Sequence, residues 1–320
     1  MRRVLAVVGP TAAGKSDLAV AVAQAVGGEV VNADSMQLYA GMDVGTAKLT
    51  EAEQQGVPHH LLSVWPVTRT ATAADYQVEC RAVIDALLAA GRTPVLVGGS
   101  GLYLRAALDR MDFPGTDPVL RAALEAELER DGPLALHARL AALSPEAAAR
   151  MEPTNGRRTV RALEVVTLTG SMPGELASYE AFYDTAYVGV DRDDLAERIE
   201  RRVDRMWEAG LVGEVAGLDG LREGVTASRA LGYAQVLGAL DGRWSLEQAR
   251  ALTVTATRRF ARRQRAWFRR DPRITWLDGA AISPEAQLEA ALAAATAPSP
   301  AAPAPATLAT PATPATPRPL

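Results

Sequence analysis

Apolar runs of strand length alternate with amphipathic segments of helix length along most of the chain. Val4–Val8 is an unbroken apolar run, and a helix with apolar periodicity is predicted from about Asp17 to Val26. The same order recurs in strands Glu29–Ala33, Thr93–Val97, Ala186–Val190 and Ile274–Leu277, and in helices Ala73–Ala90, from Leu102, Leu195–Glu208 and Ser245–Arg270. Continuous apolar strands alternating with helices are typical of a parallel sheet covered on both faces. The pattern therefore predicts an α/β fold.

This alternation stops between residues 112 and 185, where short alanine-rich helices replace it. They are broken at Gly132-Pro133, at Ser144-Pro145 and at Pro153. We therefore expect a P-loop-type α/β core in two parts, 1–111 and 186–295, with a small all-helical lobe, 112–185, inserted between them. Residues 296–320 are almost all Ala, Pro and Thr, a composition that cannot bury a core, so they are predicted to form a disordered tail.

The glycine-rich stretch after the first strand has the spacing of a phosphate-binding loop. Between strand and helix, the chain reads Gly9, Pro10, Thr11, Ala12, Ala13, Gly14, Lys15 and Ser16, which is G-x-x-x-x-G-K-[ST]. Such a loop surrounds anionic oxygens with backbone N–H groups, and the N-terminus of the following helix adds partial positive charge. Lys15 is expected to reach the terminal phosphate, and the Ser16 hydroxyl is placed to bind Mg²⁺. The motif predicts a phosphorylated ligand without identifying it.

Asp34 follows the second predicted strand, at the edge of the sheet where this loop also lies. Ligands bind at the carboxyl ends of parallel strands, so Asp34 is expected beside the loop. Its carboxylate could hold Mg²⁺ through water or accept a proton from an attacking group; capping a turn is the structural alternative. A second glycine-rich turn, Gly98-Gly99-Ser100-Gly101, connects a strand to a helix at the same edge.

Charge is distributed unevenly in this chain. The net charge is −4, which by itself does not favour nucleic acid. Only Lys15 and Lys48 are lysines among the 34 basic residues; the arginines concentrate in Arg157–Arg161, Arg192–Arg205 and Arg258–Arg273. Keeping lysine in the loop indicates a local demand for a compact point charge. For the arginine segments, RNA phosphates and a solvated charged face are both open.

The remaining composition bears on compartment. Cys80 is the only cysteine, so no intrachain disulfide or cysteine zinc site can form. No apolar run approaches the length of a membrane span, and the first strand passes directly into the loop, unlike a signal peptide. We expect a cytoplasmic protein without membrane attachment.

Seven segments, taken together, resemble the bacterial tRNA dimethylallyltransferase family. They are GPTAAGKS, DSMQLYAGMDVGTAK, PHHLL, VLVGGSGLYL, RALEV, SRALGYAQ and RRQRAWFRR, in family order from about Val4 to Leu277. The resemblance implies transfer of a dimethylallyl group from dimethylallyl diphosphate to the N6 amine of adenosine 37, next to the tRNA anticodon. It also implies that the loop holds the diphosphate of this donor rather than ATP, that Mg²⁺ is the cofactor, and that the lobe grips the anticodon stem-loop. We expect a monomer.

The resemblance also implies roles for individual residues. Asp34 would be the general base, with Lys15 and Ser100 assisting catalysis. Residues Gly9 to Ser16 and Arg202 would bind the diphosphate, and Ser16 would hold the metal. The implied tRNA contacts are Asp34, Ser35, Met36, Gln37, Ser100, Arg121, Arg157, Arg158, Thr159, Val160, Arg161, Arg229, Gly232 and Tyr233. The chain departs from the family pattern at Leu49, Ser100, Arg263 and Ala266; Ser100 keeps the hydroxyl of the usual Thr.

Two other functions fit parts of the sequence. A small-molecule kinase would also use a phosphate loop with Asp34 as base toward a hydroxyl, and it would consume ATP. A non-catalytic RNA-binding protein would bind tRNA without turnover. The inserted lobe and the arginine-rich segments favour RNA over a metabolite, and the placement of Asp34 favours catalysis over binding alone.

Overall fold

Residues 3–172 and 179–297 are described by a computed structural model of the chain. They divide into two units, the first formed by residues 3–110 and 180–297 and the second by residues 111–172 and 179. The predicted tail lies, from residue 298 onward, outside the described residues.

The first unit contains a six-stranded sheet in which every pairing is parallel. Its strands are β1 (Val4–Val8), β2 (Glu29–Asn32), β3 (His59–His60), β4 (Pro94–Gly98), β5 (Thr185–Asp191) and β6 (Ile274–Asp278). Their order across the sheet is β3-β2-β4-β1-β5-β6, so the first strand is central. The predicted α/β fold with a parallel sheet is confirmed, although the short edge strand β3 was not predicted.

Helices occupy both units. In chain order they are α1 (Lys15–Val26), α2 (Glu51–Gln54), α3 (Ala73–Ala89), α4 (Gly101–Leu108), α5 (Pro118–Leu143), α6 (Pro145–Ala149), α7 (Gly156–Thr169), α8 (Leu195–Glu208), α9 (Leu211–Gly217), α10 (Tyr233–Leu240), α11 (Leu246–Phe268) and α12 (Pro284–Thr296). A 3₁₀ turn, Ala227–Arg229, precedes α10. Within the described residues, no helix is both long and apolar enough to cross a bilayer.

Alternation along β1 explains why both faces of the sheet are covered. Val4, Ala6 and Val8 belong to one apolar core, whereas Leu5 and Val7 belong to the core on the opposite face. Successive side chains of a strand point to opposite faces, so a strand that is apolar throughout must be buried on both.

A buried ionic network lies in the first unit between the end of α4 and the start of β6. The carboxylate of Asp109, which is fully buried, accepts hydrogen bonds from Arg105 at 2.8 Å and Arg273 at 2.6 Å. Arg273 also pairs with Asp271 at 2.7 Å. Because each buried charge has an opposite partner, the network is satisfied internally.

The second unit is helical. Helices α5, α6 and α7 pack around a small core that includes Leu124, Leu136, Leu140 and Leu163. Helix α5 bends at Gly132, which has a φ of 80°, so the break predicted at Gly132-Pro133 is a kink between two helical segments.

Candidate functional site

The loop between β1 and α1 has the backbone geometry of a phosphate cradle. Gly9, Ala12 and Gly14 have φ values of 136°, 65° and 99°. A Cβ at Gly9 would collide with the carbonyl of Val190, so only glycine fits there. The Lys15 ammonium donates to the Pro10 carbonyl at 2.7 Å, across the mouth of the loop.

The lysine of this loop interacts electrostatically with Arg202 and Asp34. Withdrawal from water, together with the nearby Arg202 guanidinium, lowers the pKa of Lys15 to about 7, while Asp34 opposes that shift. Burial also lowers the pKa of Arg202, again opposed by Asp34. Two cations and one carboxylate therefore lie within electrostatic reach of one another, an arrangement suited to an anionic ligand beside a proton acceptor.

Asp34 is held in place by a turn of its own. One carboxylate oxygen accepts the N–H of Met36 at 2.9 Å, and the Asp34 N–H donates to Asn32 Oδ1 at 2.9 Å. The turn-forming role considered from the sequence therefore exists, and it fixes the direction of the side chain. Ser100 lies beside it, because its hydroxyl accepts the Ser35 N–H at 3.1 Å and contacts Ser35 Oγ at 3.2 Å.

Two cavities flank these groups. The first, of about 310 Å³, falls at the small end of ligand pockets. Its lining includes Thr11, Asp34, Ser35, Met36, Arg202, Met206, Arg229, Phe260 and Arg263. The second is rich in cations and includes Lys15, Ser16, Lys48, Arg198, Arg201, Arg202, Arg205 and Met206. Since Arg202 and Met206 line both, the two cavities adjoin along α8.

The segment 43–47 contributes to both cavities and is anchored by a residue that sequence reasoning missed. Glu214 on α9 accepts the N–H groups of Asp43, Val44 and Gly45 at 2.9, 2.7 and 3.1 Å, and also the hydroxyl of Tyr233. An acidic residue on a short helix carries no sequence signal for such a contact.

The same arrangement determines the surroundings of Tyr233, for which the resemblance implies a tRNA contact. Tyr233 is fully buried, and burial together with Glu214 raises the pKa of its hydroxyl far above the usual value. Its side chain therefore supports the segment 43–47 instead of facing solvent. Its neighbour Gly232, with a φ of 88°, begins α10.

Other predicted residues support the same segment. The Gln37 amide donates to the carbonyls of Thr46 and Ala47 at 3.0 and 3.3 Å. Lys48, the other lysine of the chain, donates to Asp43 at 2.7 Å and Ser63 at 2.8 Å. The Lys48 ammonium is therefore paired with a carboxylate of the protein itself.

The start of the cradle is held by two side chains that the sequence did not identify. The N–H of Thr11 donates to Gln264 Oε1 at 2.9 Å, and Arg198 donates to the carbonyl of Ala12 at 2.7 Å. The Thr11 amide is therefore engaged within the protein, by a contact with α11.

In the second unit, the implied tRNA residues fall into two groups. Arg121 and Arg161 both pair with Glu164; although burial opposes it, their hydrogen bonds hold the pKa of Glu164 below its usual range. Arg157 and Arg158 are exposed on α7. Thr159 and Val160 are buried, so their side chains pack within this unit. Helical spacing places Val160 with Leu163 on the inward face.

The described residues contain no group of three or more His, Cys, Asp or Glu that could hold a metal. The protein therefore offers no closed cage in this part of the chain. Mg²⁺ commonly binds through one or two protein oxygens together with substrate phosphates. Ser16, which lines the cationic cavity beside Lys15, fits that mode.

Comparison with known proteins gives consistent matches. The model of the IPP transferase family matches residues 37–271. The chain is 66% identical to the tRNA dimethylallyltransferase of Streptomyces coelicolor over 282 residues, which are 87% of this chain and 90% of that relative. It is 64% identical to the tRNA dimethylallyltransferase of a Parafrankia species over 278 residues, covering 86% and 87% of the two chains.

Solved structures agree in fold. The tRNA isopentenylpyrophosphate transferase of Bacillus halodurans is 37% identical, covers 91% of this chain and 95% of its own, and superposes with a TM-score of 0.66. A eukaryotic dimethylallyltransferase acting on tRNA is 26% identical, covers 87% and 74% of the two chains, and has a TM-score of 0.74.

Proposed function

Because the chain belongs to the IPP transferase family and transfers a dimethylallyl group to tRNA, we propose that the donor is dimethylallyl diphosphate and the acceptor is the N6 amine of adenosine 37. The observation that carries this proposal is the convergence of Asp34 with Lys15 and Arg202 at the carboxyl edge of the sheet. A diphosphate leaving group needs cations, an amine nucleophile needs a proton acceptor, and the site offers both within electrostatic reach.

The donor diphosphate binds in the cradle formed by Gly9 to Ser16, with Lys15 and Arg202 against its oxygens. Negative charge on the diphosphate grows as the C1–O bond breaks, and these fixed cations stabilise it. Ser16 would hold Mg²⁺, which would supply further neutralisation of the diphosphate charge. The cationic cavity lined by Arg198, Arg201 and Arg205 gives the charged end of the donor a favourable approach.

The adenine enters the smaller cavity, where Ser35 and Met36 lie next to Asp34. The exocyclic amine is a weak nucleophile because its lone pair is delocalised into the ring. As the N6–C1 bond forms, the Asp34 carboxylate accepts the N6 proton, and the diphosphate leaves with the electron pair of the C1–O bond. The turn that binds Met36 N–H leaves the second carboxylate oxygen for this proton.

Reaching a base in the anticodon loop requires that it be extruded from the stack. Exposed Arg157 and Arg158 on α7, together with Arg229 and Arg263 beside the smaller cavity, are the groups we assign to tRNA phosphates. Arg121 and Arg161 join them, oriented by Glu164. The protein acts as a cytoplasmic monomer in this proposal.

The test uses purified protein, dimethylallyl diphosphate and unmodified tRNA, with and without ATP. Prenylated adenosine at position 37 is expected without ATP, and a tRNA carrying guanosine at that position should remain unmodified. ATP-dependent ADP release would support the kinase, and binding of tRNA with no product would support a non-catalytic RNA-binding protein.

A further inference from the structure

Gln264 joins two loops of the site that lie far apart in sequence. Its side chain is buried on α11, and the amide uses both of its ends. Oε1 accepts the N–H of Thr11 at 2.9 Å, and Nε2 donates to the carbonyl of Gly99 at 2.9 Å. One side chain therefore bridges the phosphate loop and the second glycine-rich turn.

Each end of this bridge is next to a different part of the chemistry. Thr11 begins the cradle and lines the smaller cavity with Asp34. Gly99 precedes Ser100, whose hydroxyl binds the Ser35 amide directly after Asp34. The loop proposed to bind the donor and the turn beside the acceptor site are therefore both hydrogen-bonded to one residue of α11.

The surroundings leave little freedom for another side chain at this position. A Cβ at Gly99 would collide with the Gln264 amide, so the turn and the helix are in close contact. Thr11 needs an acceptor and Gly99 needs a donor, and among uncharged side chains of this length only a carboxamide supplies both. Glutamate supplies the acceptor alone at neutral pH, and methionine supplies neither.

Helix α11 also forms a wall of the smaller cavity through Phe260 and Arg263. A shift of the helix relative to the two turns would change the distance between the cavity wall and the reacting atoms. Misplacement of reacting groups by about 1 Å can cost about 10²-fold in rate.

We propose that Gln264 is a positioning residue for the transfer. It fixes the positions of the phosphate loop and of the Ser100 turn relative to α11. The expected effect of Gln264 on turnover rests on the proposed function. The expected effect of Gln264 on the phosphate cradle does not. Both ends of the Gln264 amide are engaged by the protein backbone, so the residue acts through the Thr11 N–H and the Gly99 carbonyl.

The experiment compares the full-length wild type with Gln264→Met and Gln264→Glu, using Gln248→Met on the same helix as control. Gln248 is exposed and belongs to the capping box of α11, away from both turns. Affinity for inorganic diphosphate with Mg²⁺, affinity for tRNA, and kcat with saturating donor are measured, and circular dichroism gives the folded fraction.

For Gln264→Met we expect diphosphate affinity to fall about tenfold and kcat about 10²-fold. Affinity for tRNA should change less than about twofold, since many phosphate contacts share it. For Gln264→Glu, activity relative to wild type should rise as pH falls, because a protonated carboxyl regains the donor toward Gly99. The Gln248→Met control should match wild type in all three measurements.

A purely structural role would lower the folded fraction and reduce all three measurements in proportion, and that result would overturn the proposal. Unchanged diphosphate affinity in a folded Gln264→Met protein would do the same. A wild type that binds diphosphate but never modifies tRNA would refute the proposed function alone, and the diphosphate measurements would still decide the role of Gln264.

Discussion

The pKa of Lys15, about 7, makes donor binding sensitive to pH near neutrality. A bound diphosphate favours the charged ammonium, so only the protonated fraction of the free protein is ready to bind. That fraction is about 90% at about pH 6 and about 10% at about pH 8 for such a pKa. Affinity should therefore fall about tenfold from about pH 6 to about pH 8, because Lys15 loses its proton over this range. The pKa lies there because withdrawal from water and the nearby Arg202 disfavour the charged ammonium.

Isothermal titration calorimetry with inorganic diphosphate and Mg²⁺ measures this effect directly. Binding at about pH 8 should take up nearly one proton, which is detected by repeating the titration in buffers of different ionisation enthalpy. Lys15→Met is the matched control, because it keeps the length of the side chain and the ionisation of the ligand but removes the titrating amine. The difference in proton uptake between the two proteins isolates Lys15. Equal uptake by both would refute the reasoning.

Three further perturbations follow from the structure. Asp34→Asn should lower single-turnover transfer by about 10²–10⁴-fold with tRNA and donor affinity nearly unchanged; rescue of the rate by extra Mg²⁺ would show that Asp34 positions metal instead. Asp109→Ala leaves buried arginines without their carboxylate and should reduce the free energy of unfolding by about 3–5 kcal/mol in urea titrations. A loss below about 1 kcal/mol, which is what a surface ion pair contributes, would contradict this expectation. Glu214→Gln should cost about 1–3 kcal/mol, since its amide nitrogen would face backbone N–H groups. Exposed Glu208→Gln is the control, and equal stability of the two variants would argue against the anchor.

Local pattern was sufficient to predict most of the sheet and the phosphate loop. An apolar run such as Val4–Val8, buried along its whole length, carries its own signal. The parallel arrangement then placed Asp34 at the loop edge without any knowledge of tertiary contacts, and the electrostatic coupling of Asp34 to Lys15 agrees with that placement. The two-residue strand β3 is too short to give a periodic signal.

Contacts that join distant segments were beyond local pattern. Gln264 meets Thr11 across 253 residues, and Glu214 meets Val44 across 170, so neither partner marks the other in the sequence. The burial of Thr159 and Val160 was missed for a different reason. The two residues lie between arginines, and the charge of this segment was given more weight than its apolar residues. The apolar residues of α7 recur at helical spacing, which by itself predicts a buried face.

The central position of β1 has a consequence for biosynthesis. Its two neighbours are β4 and β5, and the whole second unit is translated between those strands. At about 5–20 residues per second, the ribosome needs roughly 4–17 s to cross that interval. During this time one edge of β1 has no partner strand, and an unpaired apolar edge invites association with other chains. Helices α5, α6 and α7 are contiguous in sequence, so we expect them to fold while this edge of β1 is still unpaired, before Asp191 has emerged.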